Sequence, residues 1–339
     1  MVEVDAPIVA FVGPNGQGKT NLLEAVGVLG TLRSFRTTRP AEMVAWGRTG
    51  GIVEGVGASG EMLRTWRWSF EDGVRKLQRD GKGADPPSWI ASLRATHFVP
   101  SDTLLLRGEP ALRRALLDRA VLTVEPAYLG PVQELRRLLQ QKSALLRSGR
   151  SAAHHLDVVD SRLVEVGVKV VAARERVAAD MSSLFHRFYK EAGADEPVTV
   201  RYRSFLGPAE GLAARFTARL DDAREREWEL GRPLIGPHRD DLDFGLAGRP
   251  ARQFASQGQV RSMVLAWKLA ELEAARRGGE TPMFLLDDLG SELDPERSQK
   301  LVTLLGTLGA QVFLTTTDTR YLPAGLDLRQ IRVQDGEVH

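Results

Sequence analysis

A glycine-rich octapeptide near the N-terminus constrains the fold of this chain more than any other segment. Residues 13–20 read Gly-Pro-Asn-Gly-Gln-Gly-Lys-Thr and match the pattern GxxxxGK[ST] in full. The apolar run Ile8–Val12 before it predicts a strand, and residues 20–29 after it carry leucine and valine at helical spacing. This order predicts an α/β fold with a phosphate-binding loop, and an ordinary glycine turn is the alternative.

The side chains of this loop suit the phosphates of ATP. Its glycines let backbone N–H groups point inward, Lys19 is expected to bridge the β- and γ-phosphates, and Thr20 is expected to ligate Mg²⁺. The chain has only two asparagines, Asn15 and Asn21, and both lie in this stretch. The candidate ATP-binding residues are Asn15, Gly16, Gly18, Lys19, Thr20 and Asn21.

An acidic pair follows a second apolar run. Residues 283–286 read Met-Phe-Leu-Leu and predict a buried strand, and Asp287 and Asp288 follow directly. Asp287 is expected to hold Mg²⁺ through water, and Asp288 to polarise the water that attacks the γ-phosphate. An apolar run before aspartate is common, so the prediction depends on its pairing with the phosphate loop.

A third segment, Ser256-Gln257-Gly258-Gln259, precedes a predicted helix. The serine can be a helix cap, or it can bind phosphate. The order of phosphate loop, this segment, the Asp-Asp pair and residues 291–294 (Ser-Glu-Leu-Asp) is that of ABC-type ATPases. In that class the serine of one subunit closes on the γ-phosphate held by the other. Ser256 and Gln259 are therefore candidate catalytic residues, with Lys19 and Asp288, in an ATP-dependent homodimer.

The remaining segments define the predicted architecture. Alternation over residues 52–79 predicts an antiparallel meander whose tryptophans face the core, and residues 110–230 are mostly helical. An apolar stripe from Leu156 to Val177 predicts a short coiled-coil-like arm. We expect an ABC-type P-loop ATPase head, α/β with a mixed sheet plus the meander, into which a helical lobe is inserted. The predicted domains are residues 1–109, 110–232 and 233–339.

Composition excludes several classes of protein. The chain contains no cysteine, which rules out disulfide scaffolds and thiolate sites and fits a cytoplasmic location. No apolar run approaches the length of a membrane span, so no membrane partner is expected. The formal net charge is only +2, so bulk charge does not predict nucleic-acid binding.

Five segments together resemble the RecF family of bacterial recombination-repair proteins, within the ABC/SMC-like ATPases. They are residues 16–25, residues 108–114 with 117–118, and residues 236–241, 256–261 and 285–294. The resemblance implies a weak, DNA-stimulated ATPase whose ATP-bound dimer binds DNA at gaps and junctions. It also implies work with RecR and RecO to load RecA, and a role in replication-fork maintenance and the SOS response.

The chain departs from the pattern of this class in several places. The resemblance implies one more strand before Ile8, so a start that is either truncated or misannotated is expected. Asp288 stands where ABC enzymes have glutamate, which suits slow hydrolysis, and residues 315–318 (Thr-Thr-Thr-Asp) occupy the switch position where transporters have histidine. Residues 98–102 are the expected counterpart of the glutamine-bearing loop.

The DNA-contacting residues are less defined by sequence. Candidate arginines are Arg33, Arg36, Arg39, Arg113 and Arg114. The loop of residues 236–241, Gly-Pro-His-Arg-Asp-Asp, is either structural or a binder of phosphate or DNA.

Two other functions remain as alternatives. An ABC transporter ATPase would carry Leu-Ser-Gly-Gly-Gln, a glutamate base and a switch histidine, and all three are absent. A P-loop kinase, with the meander binding an acceptor, would not need the segment at residues 256–259.

Overall fold

The computed structural model describes residues 2–59, 62–277, 281–290 and 294–339. These residues form two compact units. The first unit comprises residues 1–102, 188–194 and 261–339, and the second comprises residues 103–187 and 195–260. The division into three consecutive domains stays a prediction. No helix among the described residues is both long enough and apolar enough to cross a membrane.

The strands and helices are numbered in chain order. The strands are β1 (Ile8–Val12), β2 (Gly50–Ser59), β3 (Met62–Glu71), β4 (Val74–Arg79), β5 (Lys82–Gly83), β6 (Ala95–Phe98), β7 (Val198–Arg203), β8 (Asp241–Leu246), β9 (Arg249–Pro250), β10 (Met283–Leu286), β11 (Gln311–Thr316), β12 (Leu328–Gln334) and β13 (Glu337–Val338). The helices are α1 (Lys19–Thr31), α2 (Pro86–Ser92), α3 (Thr103–Arg107), α4 (Pro110–Val124), α5 (Leu129–Ser148), α6 (Ala153–Glu191), α7 (Leu212–Leu230), α8 (Ala251–Phe254), α9 (Gln257–Arg276) and α10 (Pro295–Thr307).

A mixed sheet forms the centre of the first unit, in the strand order β13-β12-β1-β11-β10-β6. All neighbours pair in parallel except β12 and β13. Val12 lies opposite Thr316, and Leu286 lies opposite Leu314, so β1, β10 and β11 end at one edge of the sheet. This edge is where ligands bind in parallel sheets, and it brings the phosphate loop and the Asp-Asp pair together.

The meander β2-β3-β4-β5 is a second sheet of the first unit, antiparallel throughout. Trp66, Trp68 and Phe70 alternate along β3 and are buried in one cluster with Val28 and Leu29 of α1. The prediction that these tryptophans face the core is confirmed, because the period of a strand places every second side chain on one face.

The second unit is mostly helical, as predicted. The stripe that begins at Leu156 lies on α6, a helix of 39 residues, and its members are all buried. At 1.5 Å per residue the helix is about 58 Å long. A small antiparallel sheet, β7-β8-β9, completes this unit.

A buried cluster of charges joins three of these helices. Lys142 of α5 is fully buried, and its Nζ lies 2.6 Å from a carboxylate oxygen of Asp160 on α6 and 2.6 Å from one of Glu227 on α7. A buried ammonium is tolerated only when it is paired, so these contacts hold the three helices in one register. Nothing in the local sequence pattern predicts this cluster.

Candidate nucleotide-binding site

The phosphate loop is anchored to the sheet and curved by its glycines. The Gly13 N–H donates to the Thr316 carbonyl at the end of β11, at 3.2 Å. Gly16 and Gly18 adopt φ values of +81° and +90°, a region that other residues enter only at a cost. The glycine positions of the motif are therefore required by the backbone path of the loop.

Lys19 lies inside this loop. Its Nζ donates to the carbonyl oxygens of Gly13 and Pro14, each at 2.7 Å, and its side chain is buried. Burial lowers the pKa of Lys19, and the charges of Asp288 and Asp287 oppose that shift. The ammonium is thus held at the centre of the loop, facing two carboxylates.

Thr20 and Asp287 meet across the sheet edge. The Thr20 hydroxyl donates to the Asp287 carboxylate, at 3.0 Å to Oδ1, although the two residues are 267 positions apart. The Thr315 hydroxyl also donates to Asp287 Oδ1, at 2.8 Å. Sequence reasoning placed residue 315 at the switch position but did not predict this support of Asp287.

These oxygen atoms fit Mg²⁺. Within the described ranges, no three His, Cys, Asp or Glu side chains cluster as a metal cage. Mg²⁺ in phosphate sites is usually held by one or two protein oxygen ligands together with the phosphates. Thr20 and Asp287 provide a hydroxyl and a carboxylate of this kind at the mouth of the phosphate loop.

Asp288 has an unusual backbone conformation. Its φ is +55°, in the left-handed region that aspartate tolerates better than most residues. Its N–H donates to the Thr315 hydroxyl at 2.7 Å, so the same threonine fixes both aspartates. The side chain is half-buried and lies within electrostatic reach of Lys19 and Arg261.

Arg261 is a residue of this neighbourhood that sequence reasoning gave no role. It is buried, and its guanidinium lies 5.5 Å from the centre of the Phe98 ring. Burial lowers its pKa to about 10, against the charge of Asp288. Its position at the end of the family-like segment 256–261 is the one sequence signal that points to it.

The segment of residues 98–102 lies beside Asp287. The Asp287 N–H donates to the Phe98 carbonyl at 3.0 Å, and the buried Asp102 carboxylate accepts from the Val99 N–H at 3.1 Å. Its assignment as counterpart of the glutamine-bearing loop stays a prediction.

The two asparagines have different surroundings. Asn15 is exposed at the tip of the loop. Asn21 Oδ1 accepts from a guanidinium nitrogen of Arg36 at 2.6 Å, and the same nitrogen lies 3.4 Å from Glu24. Arg36, a candidate DNA contact, is thus already engaged with α1, whereas Arg39 is exposed and pairs with a neighbouring glutamate at 3.5 Å.

Ser256 and Gln259 lie in the second unit and form a reciprocal cap on α9. The Ser256 N–H donates to Gln259 Oε1 at 2.8 Å, and the Gln259 N–H donates to Ser256 Oγ at 3.2 Å. Gln259 Nε2 also donates to Glu196 at 2.7 Å, and Ser256 is exposed. The cap orients the serine hydroxyl at the N-terminal end of a long helix, which is compatible with both interpretations of this segment.

The segment after the Asp-Asp pair is only partly described. Ser291, Glu292 and Leu293 lie outside the described residues. Asp294 caps α10 by accepting from the Arg297 N–H at 3.0 Å.

The structure contradicts the prediction that Arg113 contacts DNA. Its Nε and Nη2 donate to the two oxygens of the Asp241 carboxylate, each at 2.8 Å, and the side chain is 3% exposed. Arg114 is half-buried and donates to the Asp240 carbonyl at 2.9 Å. Arg113 is therefore a structural residue and not a DNA contact, since its guanidinium is saturated inside the unit.

The loop of residues 236–241 is structural at its two aspartates. Asp240 is fully buried, where it accepts from Arg174 at 3.0 Å, and Arg174 also donates to Asp118 at 2.9 Å. His238 is mostly buried, and this burial lowers its pKa to about 4. Arg239 lies with its guanidinium 4.9 Å from the centre of the Phe205 ring.

Full-length relatives establish the family. The DNA replication and repair protein RecF of Geobacter sp. (strain M21) is 38% identical over 341 residues, covering 97% of this chain and 92% of the relative. The chain belongs to the RecF family. RecF of Myxococcus xanthus (strain DK1622) is also 38% identical, over 91% of this chain and 84% of its own length. No family model matches the chain.

Solved structures agree with RecF-family membership. The recombination mediator protein RecF with ATPrS, from the RecFOR pathway, has a TM-score of 0.89 at 25% identity and covers 99% of this chain and 92% of its own. The Smc head domain of Pyrococcus furiosus, at 14% identity and a TM-score of 0.52, shares the fold alone. The predicted ABC-type ATPase fold is confirmed, and membership favours RecF over the transporter and kinase alternatives.

Proposed function

We propose that this RecF-family chain is an ATP-dependent DNA-binding protein of recombinational repair and replication-fork maintenance. The main observation behind the proposal is the 3.0 Å hydrogen bond from the Thr20 hydroxyl to the Asp287 carboxylate, beside Lys19 inside the phosphate loop. RecF has been solved with ATP at a TM-score of 0.88 to this chain. A protein that acts on the bacterial chromosome works in the cytoplasm, and we propose that location.

Each residue of the site has a distinct role in this proposal. Mg²⁺, when bound, neutralises charge on the phosphates. Thr20 and Asp287 hold the metal, and Lys19 turns from its two carbonyl partners to the β- and γ-phosphates. Asp288 polarises water in a weak, DNA-stimulated hydrolysis that resets the protein. Asn15, Gly16, Gly18 and Asn21 complete the ATP contacts.

The second half of the site comes from another copy of the chain. Ser256 is exposed at the N-terminal end of α9, a helix of 20 residues. Such an end is a favourable place for phosphate, because its N–H groups and dipole attract an anion. We therefore assign Ser256 and Gln259 to the γ-phosphate held by the partner subunit, so that ATP drives dimerisation.

The closed dimer is the DNA-binding form in this proposal. A net charge of +2 gives little long-range attraction, so affinity must come from a local arginine surface that two subunits align. DNA gaps and junctions are the proposed targets. RecR and RecO are the proposed partners in loading RecA, by analogy with the RecF solved in the RecFOR pathway.

Sedimentation with and without ATP tests the dimer. Ser256→Arg should leave nucleotide binding intact and abolish the ATP-dependent dimer, because a long cation replaces the hydroxyl. Ser161→Arg, at another exposed serine, is the control for the added charge. If Ser256→Arg dimerises with ATP as the unsubstituted protein does, the two-subunit site is wrong.

DNA binding is tested by titration of gapped DNA at two salt concentrations, with ATP and without nucleotide. Phosphate contacts release counterions, so affinity should fall steeply with salt and should rise with ATP. An affinity that does not change with salt, or one that ATP leaves unchanged, would remove DNA as the partner of the closed dimer.

A further inference from the structure

A basic cleft lies on the small sheet of the second unit. Its volume is about 420 Å³, which is the size of a site for one small ligand or a short chain segment. Four exposed arginines line it, namely Arg201 and Arg203 of β7, Arg249 of β9 and Arg252 of α8.

The charge of this cleft is not neutralised by the protein. Among the described residues, Asp243 is the one acidic residue in its lining, and Arg203 Nε already pairs with it at 2.8 Å. Arg201, Arg249 and Arg252 make no ion pair with any acidic side chain in the described part of the chain. Three like charges held together in a concave surface favour an anionic ligand with several negative groups.

Two arginines of the cleft have the spacing of neighbouring phosphates. Arg201 and Arg203 are two residues apart on one face of β7, so they are separated by about 6.6 Å along the strand. This separation is comparable with that of successive phosphates in an extended nucleic-acid strand. Arg249 lies two strands away on β9, because β8 pairs with both β7 and β9, and Arg252 follows in α8.

An aromatic ring stands beside these cations. Phe254, the last residue of α8, is 56% exposed, and the Arg249 guanidinium lies 5.4 Å from the centre of its ring. An exposed ring next to arginines is a stacking platform for an unpaired base. A duplex keeps its bases stacked inside, so it would leave this ring unused.

We propose that this cleft binds single-stranded DNA, with Arg201, Arg249 and Arg252 on its phosphates and Phe254 stacked on a base. The proposal rests on the proposed function, which supplies DNA as the partner. It adds a strand-selective contact in the second unit.

The bound strand would also touch the segment that leads into the ATP signature. Phe254 is two residues before Ser256, and the intervening Ala255 is buried. The Ala255 carbonyl accepts from Arg107 at 2.6 Å, and its N–H donates to the Ala251 carbonyl at 3.0 Å. This anchored connection brings the single-strand contact next to the serine that would close on ATP.

The test measures binding of the full chain with ATP to a fluorescent oligothymidine, to a blunt duplex and to gapped DNA over a salt series. The triple variant Arg201→Gln, Arg249→Gln and Arg252→Gln should bind oligothymidine on the order of tenfold more weakly. Its log-log salt slope should be smaller by about 2, at about 0.7 for each lost single-strand contact. Binding to the blunt duplex should change far less.

Phe254→Ala separates stacking from charge. It should weaken oligothymidine binding by about tenfold with an unchanged salt slope, and Phe254→Trp should restore the affinity. Arg137→Gln is the matched charge control, because Arg137 is an exposed arginine of α5 in the same unit and outside the cleft lining.

The outcomes separate this inference from the proposed function. If the unsubstituted protein binds none of the DNAs, the proposed function fails. If it binds gapped DNA while the triple variant and Phe254→Ala bind oligothymidine as well as it does, the cleft proposal alone is overturned. Equal losses on duplex and single strand, or an equal loss in Arg137→Gln, would also overturn it. Competition by polyglutamate but not by oligothymidine would identify an acidic protein segment as the occupant instead.

Discussion

Replacing Arg113 with alanine tests whether this arginine stabilises the folded chain or contacts DNA. The side chain is 3% exposed and makes two 2.8 Å bonds to Asp241. It also donates to the carbonyls of Gly108 at 2.6 Å and Leu106 at 3.2 Å. Arg113→Ala therefore leaves the buried Asp241 carboxylate with only the more distant Arg203, at 3.7 Å, and leaves two carbonyls without this donor.

The magnitude follows from those lost contacts. Removing one partner of a buried ion pair costs about 3–5 kcal/mol, because the other charge remains desolvated. With a urea dependence of about 2–3 kcal/mol per molar, a loss of about 4 kcal/mol lowers the unfolding midpoint by about 1.5 M. Arg137→Ala, at an exposed arginine, should change the free energy of unfolding by less than about 0.5 kcal/mol.

The loss of stability in Arg113→Ala should also depend on pH, through the protonation of Asp241. Burial raises the pKa of Asp241, but the hydrogen bonds from Arg113 and the Leu242 N–H, together with the charges of Arg113 and Arg203, hold the pKa below its ordinary value. Without Arg113 the pKa of Asp241 should rise above that value. The carboxyl then takes up a proton more readily in the folded state, so the loss of stability should be greatest at neutral pH and should shrink as the solution is acidified.

The assay is urea unfolding of the full chain, followed by circular dichroism at neutral and acidic pH, with DNA titration in parallel. The double variant Arg113→Ala, Asp241→Asn should be less destabilised than the sum of the single variants, because no unpaired charge remains. A midpoint shift as small as that of Arg137→Ala, together with a reduced salt slope for DNA, would refute the structural role of Arg113.

Three further predictions concern the candidate nucleotide-binding site and, in the second unit, His238. Lys19→Met should lose about 1.5–3 kcal/mol of ATP-binding free energy, because a charged phosphate contact is removed. Asp288→Asn should keep ATP bound and prolong the lifetime of the dimer. Equal losses of ATP affinity for the two variants in a titration would contradict these separate roles. Thr315→Val should lower the free energy of unfolding by about 1–3 kcal/mol, because it leaves the Asp288 N–H buried without an acceptor, and Thr315→Ser is the control in thermal unfolding. His238 has a folded pKa of about 4, below its ordinary 6.5, so the unfolded state gains a proton first as pH falls. Stability should therefore drop by up to about 3 kcal/mol between pH 6.5 and 4, and His238→Gln should reduce that drop in urea unfolding.

Local sequence patterns predict much of the candidate nucleotide-binding site. The strand at Ile8–Val12, the loop after it and α1 form where the sequence predicts them. The left-handed glycines explain why, because Gly16 and Gly18 allow a backbone path that few other residues allow. The sequence offered a helix cap at Ser256 as one alternative, and the structure shows reciprocal hydrogen bonds between Ser256 and Gln259.

Two neighbouring arginines that the sequence does not distinguish have different environments in the structure. Arg113 and Arg114 are adjacent on α4, yet Arg113 is buried in an ion pair and Arg114 is half-buried against a backbone carbonyl. Sequence reasoning treated both as candidate DNA contacts. The difference arises from helix geometry, because neighbouring residues point about 100° apart and only one of them faces Asp241.

The sequence by itself determined the order of elements, the phosphate loop and the nature of the residues available to hold ATP, because strand and helix periods, glycine conformation and capping act over a few residues. Tertiary structure alone decided that Thr315 supports both aspartates, that Lys142 lies buried between Asp160 and Glu227, and that unpaired arginines share one cleft. Thr20 reaches Asp287 across 267 positions of the chain. Contacts of that range depend on which strands become neighbours, and no local period along the chain encodes that choice.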